Sequence, residues 1–251
     1  MSNVLAFVSI KGGVGKTTSA ANLGAYIAEL GKKVLLIDFD PQGNLSSSFG
    51  FKDTKPGIYE VLSGRSNIAD SIIPTAVENL SIITSSIDLT GANVELVDQK
   101  DREHYLKEAI NGEAHRFDYI FIDCPPSLGI LTINGLVAAD LVFIPLQCEY
   151  FALEGLSLLL QTIKKVQSGL NSDLEIGGIL FTMYDSRTRL AQEVVQEVVG
   201  YFGKKVFKTI IPRNIKLSEA PSHSVPISKY DPKCMGAESY RKLAEEVIQR
   251  V

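Results

Sequence analysis

Apolar residues recur along this chain in short unbroken runs, at 4–10, 34–37, 80–83, 119–122, 141–144 and 176–181. A strand covered on one face alternates apolar with polar positions, whereas a strand covered on both faces reads as a continuous apolar run. The six runs therefore predict buried parallel strands. Between them, segments 17–30, 102–114, 153–166, 190–202 and 237–251 space their apolar residues at helical intervals, and each predicts a helix. The alternation implies an α/β fold: a doubly wound, mostly parallel sheet flanked by helices on both faces, with ligands beyond the carboxyl ends of the strands. No linker-like tract, charge block or internal repeat interrupts it, so one domain spanning 1–251 is expected.

The bulk composition refines this picture only slightly. Hydrophobic residues make up 45% and charged residues 22% of the 251 positions, enough to fill an ordinary globular core. The three cysteines, Cys124, Cys148 and Cys234, are odd in number and lack metal-ligand spacing, so a disulfide framework or zinc site is not expected. The amino terminus enters a strand-like run with no basic segment before it, unlike a signal peptide. No apolar stretch approaches the ~20 residues of a membrane span. Net charge is −4, yet the stretch 187–216 holds seven Lys or Arg against two Glu, a local surplus of five. Such a patch suits phosphate tracking in an otherwise acidic chain.

The most informative motif is Lys11-Gly12-Gly13-Val14-Gly15-Lys16-Thr17-Thr18, placed between the first predicted strand and the first predicted helix. Glycines let the backbone turn sharply and bring its amides to phosphate oxygens, and the helix start adds unpaired N–H groups. Lys16 supplies a mobile cation for the β- and γ-phosphates, and the Thr17 hydroxyl is placed to coordinate Mg²⁺. The motif predicts binding and hydrolysis of ATP with Mg²⁺. It departs from the general phosphate-loop pattern, which wants glycine where this chain has Ile10, and it carries a second lysine, Lys11.

Two strand ends supply carboxylates. The run 119–122 ends in Asp123, the expected position of a metal-associated aspartate beside the phosphate loop. The second strand ends in Asp38-Phe39-Asp40. Asp38 is expected to hold the metal's hydration shell and Asp40 to hold a water in line with the γ-phosphate.

These motifs resemble the deviant Walker A ATPases, and within them the ParA/Soj chromosome- and plasmid-partitioning proteins. Later matches extend the resemblance over nearly the whole chain: Tyr184 to Arg189 in sequence, Pro212-Arg213-Asn214, Ser218-Glu219-Ala220-Pro221-Ser222-His223, and Gly236-Ala237-Glu238-Ser239-Tyr240. The resemblance implies a sandwich homodimer formed with ATP, in which each Lys11 reaches the partner's phosphates and Gly12 lies at the crossing. It implies base contacts from Pro212 and Asn214, non-specific binding of double-stranded DNA through Arg187, Arg189 and Lys216, and slow hydrolysis accelerated by a ParB-type partner. Close relatives carry arginine where this chain has Lys216, which keeps the charge but loses bidentate geometry. A cytoplasmic, nucleoid-associated protein follows.

Two other classes share the loop. A MinD-like membrane ATPase ends in a basic amphipathic helix, whereas residues 237–251 balance three Glu against three Lys or Arg. Stable membrane association is therefore not expected. A nitrogenase-type reductase needs cysteines that bridge an iron–sulfur cluster between subunits, and neither Cys124 nor Cys148 is placed for that role.

Overall fold

The computed structural model of the chain describes residues 2–52, 54–96 and 98–251. Its strands are β1 (Asn3–Phe7), β2 (Val34–Asp38), β3 (Ile73–Pro74), β4 (Leu80–Ile83), β5 (Tyr119–Asp123), β6 (Leu141–Gln147) and β7 (Glu175–Thr182). They form one sheet in the order β3-β4-β2-β5-β1-β6-β7. All neighbours run parallel except the short edge pair β3–β4. The helices include α1 (Lys16–Glu29), α2 (Tyr105–Asn111), α3 (Ile130–Ala138), α4 (Ala152–Gly169), α5 (Arg189–Phe202) and α6 (Met235–Arg250).

Alternate residues of each central strand enter different cores. Leu5 and Phe7 of β1 join Leu36 of β2 and Phe121 of β5 in one cluster with Leu23 and Ile27 of α1 and Leu243 of α6. Val4, Ala6 and Val8 join Ile37, Ile122, Leu136 of α3 and Leu159 of α4 in the other. Both faces are covered, which is why the strands lack polar alternation. Helix α1 lies so close to the sheet that a Cβ on Gly24 would come within 2.8 Å of Leu36 Cδ2.

Strand β1 lies between β5 and β6, with β2 on one side of it and β7 on the other. This reversal opens a crevice at the carboxyl end of β1, where the glycine-rich loop begins. The register sets Asp38 of β2 directly opposite Asp123 of β5, so the two predicted acids lie side by side at the carboxyl ends of neighbouring strands.

The elements differ from their sequence-based outlines at several points. Strand β1 stops at Phe7; the Val8 amide still donates to the Phe143 carbonyl at 3.0 Å, and the chain then leaves the sheet to form the loop. The helix expected at 102–114 is confined to Tyr105–Asn111, followed by a 3₁₀ turn at Ala114–Arg116. Helix α3 has no polar stripe to reveal it, because it is buried from Leu131 to Ala138 except at Ile133. Helix α6 buries Tyr240, Leu243 and Val247 as expected, with Val251 only partly covered, and it lies beside α1, where Tyr240 OH meets Ser19 Oγ at 3.0 Å. Among the described residues no helix is long and apolar enough to cross a membrane.

Candidate active site

The loop takes its shape from two left-handed glycines, Gly13 (φ 76°) and Gly15 (φ 81°). Gly15 caps α1 without any side-chain acceptor, so the first amides of the helix are given no capping side chain among the described residues. These amides and the helix dipole favour an anion at this point. The loop is anchored from below by Thr182, whose Oγ1 donates to the Val14 carbonyl at 2.7 Å.

Lys16 is buried, and its Nζ donates to Asp123 Oδ1 at 2.7 Å. Burial disfavours the ammonium charge, but the adjoining Asp123 carboxylate outweighs it and raises the lysine above its ordinary range. The other oxygen, Asp123 Oδ2, is buried and has no hydrogen-bond partner. An orphaned carboxylate oxygen on the residue that holds Lys16, together with the hydroxyl of the cleft-lining Thr17, is an oxygen donor set that suits a hard cation such as Mg²⁺. The residues present therefore fit the predicted metal.

Asp38 is placed differently from its neighbour Asp40. It is fully buried, with Oδ2 accepting from the Ser46 amide at 2.7 Å and from Ser46 Oγ at 2.6 Å, while Oδ1 faces the Asp40 amide at 3.4 Å. Burial and the nearby Asp123 charge push it up to about 7 against the opposing Ser46 bonds. Its oxygens face the 40–46 segment, and like Asp123 it is fully buried and set back from the residues that line the cleft. Asp40 does line it, and its Oδ1 accepts the Gln42 amide at 3.0 Å. Ser46 and Ser85, whose amide donates to Ser46 Oγ at 3.0 Å, complete this support. Neither was singled out by the sequence, which contains no motif that pairs these serines with Asp38.

The phosphate-side cleft measures about 450 Å³ and is lined by Lys11 to Gly13, Gly15 to Thr18, Asp40, Gln42, Asn44 and Pro126, among others. An adjoining cleft of about 420 Å³ is lined by Thr182, Ile211, Pro212, Asn214 and Ser218. The two predicted base contacts thus fall together, next to the loop. Val14 is placed apart from the cleft lining, buried at 5% exposure, with its carbonyl held by Thr182. Lys11 is exposed and its ammonium pairs with Glu149. Gly12 has neither a left-handed backbone nor a close neighbour: a Cβ there would meet only Pro126, at 3.9 Å.

Of the predicted DNA contacts, Arg187 and Arg189 are exposed and Lys216 is half-buried, and each is paired inside the chain. Arg187 grips Asp185 through Nε at 2.8 Å and Nη2 at 2.6 Å, which holds that carboxyl down at about 2. Arg189 pairs with Glu193 at 2.8 Å and Lys216 with Glu219 at 2.9 Å. Lys205 pairs with Glu175 at 3.0 Å. The surplus of five seen in the sequence is therefore reduced by Asp185, Glu175 and Glu219, which lie just outside or far from that stretch. Among the described residues, Lys204, Lys208 and Arg213 form no ion pair. The cysteines pack: Cys124 is fully buried and burial pushes its thiol up to about 12, while Cys148 and Cys234 are half-buried and free.

Comparison with known proteins adds lineage to this geometry. The family described as an AAA domain matches residues 2–176, which include the phosphate loop, Asp40 and Asp123. A chromosome-partitioning ATPase, Soj, from Treponema pallidum is 64% identical over 250 residues, covering 100% of this chain and 98% of the relative. A sporulation initiation inhibitor protein, Soj, from Bacillus subtilis is 53% identical, with 98% of each covered. A solved structure named cobyrinic acid a,c-diamide synthase, from Mycobacterium smegmatis with a bound ATP analogue and magnesium, superposes with a TM-score of 0.89 at 39% identity, covering 99% of this chain and 95% of that one. On a phosphate loop whose lysine is buried against the β5 aspartate, and on relatives matched end to end, the chain belongs to the Soj/ParA family of chromosome-partitioning ATPases.

Proposed function

We propose that this chain is an ATP-driven DNA-partitioning switch: a sandwich dimer forms on ATP, holds DNA without sequence preference, and lets go after hydrolysis. The observation that supports it most is the buried Lys16–Asp123 pair under an uncapped helix start, opening into two adjoining clefts. Triphosphate on the loop amides competes for the Lys16 ammonium, which swings from Asp123 towards the β- and γ-phosphates. That exchange leaves Asp123 as a free carboxylate. Asp123 and the Thr17 hydroxyl would hold Mg²⁺, which when bound neutralises phosphate charge. Asp40, fixed by the Gln42 amide, orients the attacking water, and the Asp38–Ser46 bonds keep its segment in place. Pro212 and Asn214 border the base cleft.

The dimer reading draws on two side chains. Glycine at position 12 is required by nothing within this chain, so a reason for it must come from outside. Lys11 is held only by an exposed carboxylate, Glu149, from which it can be released to a partner's phosphates like an arginine finger. DNA contact through Arg187, Arg189 and Lys216 then requires phosphates to displace Asp185, Glu193 and Glu219, and doubling the cations in a dimer favours that exchange. A ParB-type partner would accelerate an intrinsically slow hydrolysis, and the protein would reside on the nucleoid in the cytoplasm. A membrane-bound alternative gains nothing from α6, whose apolar face is buried and whose Lys242 and Arg250 pair with Glu238 and Glu246.

Size-exclusion chromatography and retention of duplex DNA, each with ADP and with ATP, test the reading. Native protein is expected to dimerise and retain DNA only with ATP. Gly12→Val is expected to stay monomeric, and Asp40→Ala to accumulate as a DNA-bound dimer with hydrolysis lost. A monomeric native protein under ATP would defeat the proposal.

A further inference from the structure

Three consecutive residues at the end of β7 tie together the two halves of the nucleotide site. Thr182 Oγ1 donates to the Val14 carbonyl of the phosphate loop at 2.7 Å. Two residues on, the Tyr184 amide donates to the Ile211 carbonyl at 3.1 Å, and its own carbonyl accepts the Arg213 amide at 3.1 Å, which fixes the segment bordering the base cleft. Between these anchors Met183 adopts a left-handed backbone, φ 49°, a conformation unfavourable for a side chain of its kind. Such strain persists where the surroundings over-determine it, and it concentrates at ligand sites. Here the cause is visible: the chain must turn between two loops that it holds on both sides.

That turn directs the Met183 side chain onto the seam. Gly15, Thr18 and Met183 border both clefts, and the Met183 Cε lies 3.7 Å from where a Cβ on Gly15 would stand. A nucleotide with its phosphates on the loop and its base beside Pro212 and Asn214 must lay its sugar across this seam. A thioether is apolar, polarisable and flexible enough to cover a sugar edge.

We propose that Met183 is a nucleotide-contacting residue that packs on the sugar of ATP, with Thr182 and Tyr184 setting the distance between the phosphate and base ends of the site. The inference rests on the ATPase reading above and assigns a role that the phosphate-loop motif does not contain. It is tested by isothermal calorimetry of the full chain with two probes, MgATP and magnesium tripolyphosphate, which share phosphates and differ by the nucleoside. Met183→Gly and Met183→Asn both tolerate the left-handed backbone. In both, MgATP affinity is expected to fall about tenfold, the order of uncovering a small apolar surface, with tripolyphosphate binding unchanged. Native MgATP affinity in either variant, or equal loss for both probes, overturns the proposal. A native chain that binds neither probe overturns the ATPase reading and this inference with it.

Discussion

A carboxylate and an ammonium 2.7 Å apart in a buried site are stable only as a pair, since removing one partner leaves an uncompensated charge at a cost of ~3–5 kcal/mol. Lys16 and Asp123 are in that position, so ligand phosphates can replace Asp123 as the partner of Lys16 only where a cation such as Mg²⁺ takes the place of Lys16 at Asp123. Asp38, opposite Asp123 in register, meets the same constraint by keeping its proton, with its carboxyl raised to about 7. The unfolded carboxyl releases its proton near pH ~4. The folded state binds the proton more tightly, so this contribution to stability is complete below about pH 4 and lost as pH rises to about 7. Asp38→Asn, which carries no titrating proton, is expected to flatten the fall in unfolding free energy over that window. Denaturant titrations at a series of pH values measure it, and an unchanged profile would contradict the assignment.

At the scale of elements, the sheet holds its helices and flanking segments at distances that leave little room for side chains. Gly178 of β7 faces the Phe207 ring, and a Cβ there would fall 2.1 Å from Phe207 Cε2. Phe207 is itself enclosed by Phe143, at 5.1 Å between ring centroids, and by the Arg250 guanidinium, 4.5 Å from its ring centre. With no path for the ring to retreat, Gly178→Ala is expected to cost ~1–3 kcal/mol, the usual penalty of overpacking. Thermal unfolding reads the loss directly. Because segment 206–213 runs alongside β7 from Phe207 to the base cleft, the same change should also weaken MgATP binding.

The elements were unevenly legible. Strands β2, β5 and β6 stood out in the sequence because burial on both faces makes them continuously apolar. Helix α3 did not, because a helix buried on nearly all sides loses the polar stripe that marks its period. The edge strand β3 is two residues long and owes its existence to β4, so no local pattern announces it.

At the scale of the whole molecule, the DNA proposal turns on charge exchange. Arg187 is held by Asp185 in two bonds, and a DNA phosphate must displace that carboxylate. Arg187→Ala is expected to weaken retention of duplex DNA across sequences and to lower the slope of log affinity against log salt by about one for each phosphate the variant no longer neutralises. Filter binding at several salt concentrations measures the slope, and an unchanged slope would remove Arg187 from the interface.

What the chain alone determined is what depends on neighbours along the backbone: the loop Lys11 to Thr18, the acids that end β2 and β5, the parallel strands, and through the ordered motifs the family. These are local because glycine torsions, a helix start and strand-end carboxylates act over a few residues. What only the tertiary structure decided depends on residues far apart in the chain. It joined Asp123 to Lys16 across 107 positions and set Asp38 in the register position opposite Asp123, bonded to Ser46. It also matched Lys205 with Glu175, 30 positions away, and set Met183 at the seam of two clefts. Such pairings are fixed by sheet register and packing, which no single stretch of sequence contains.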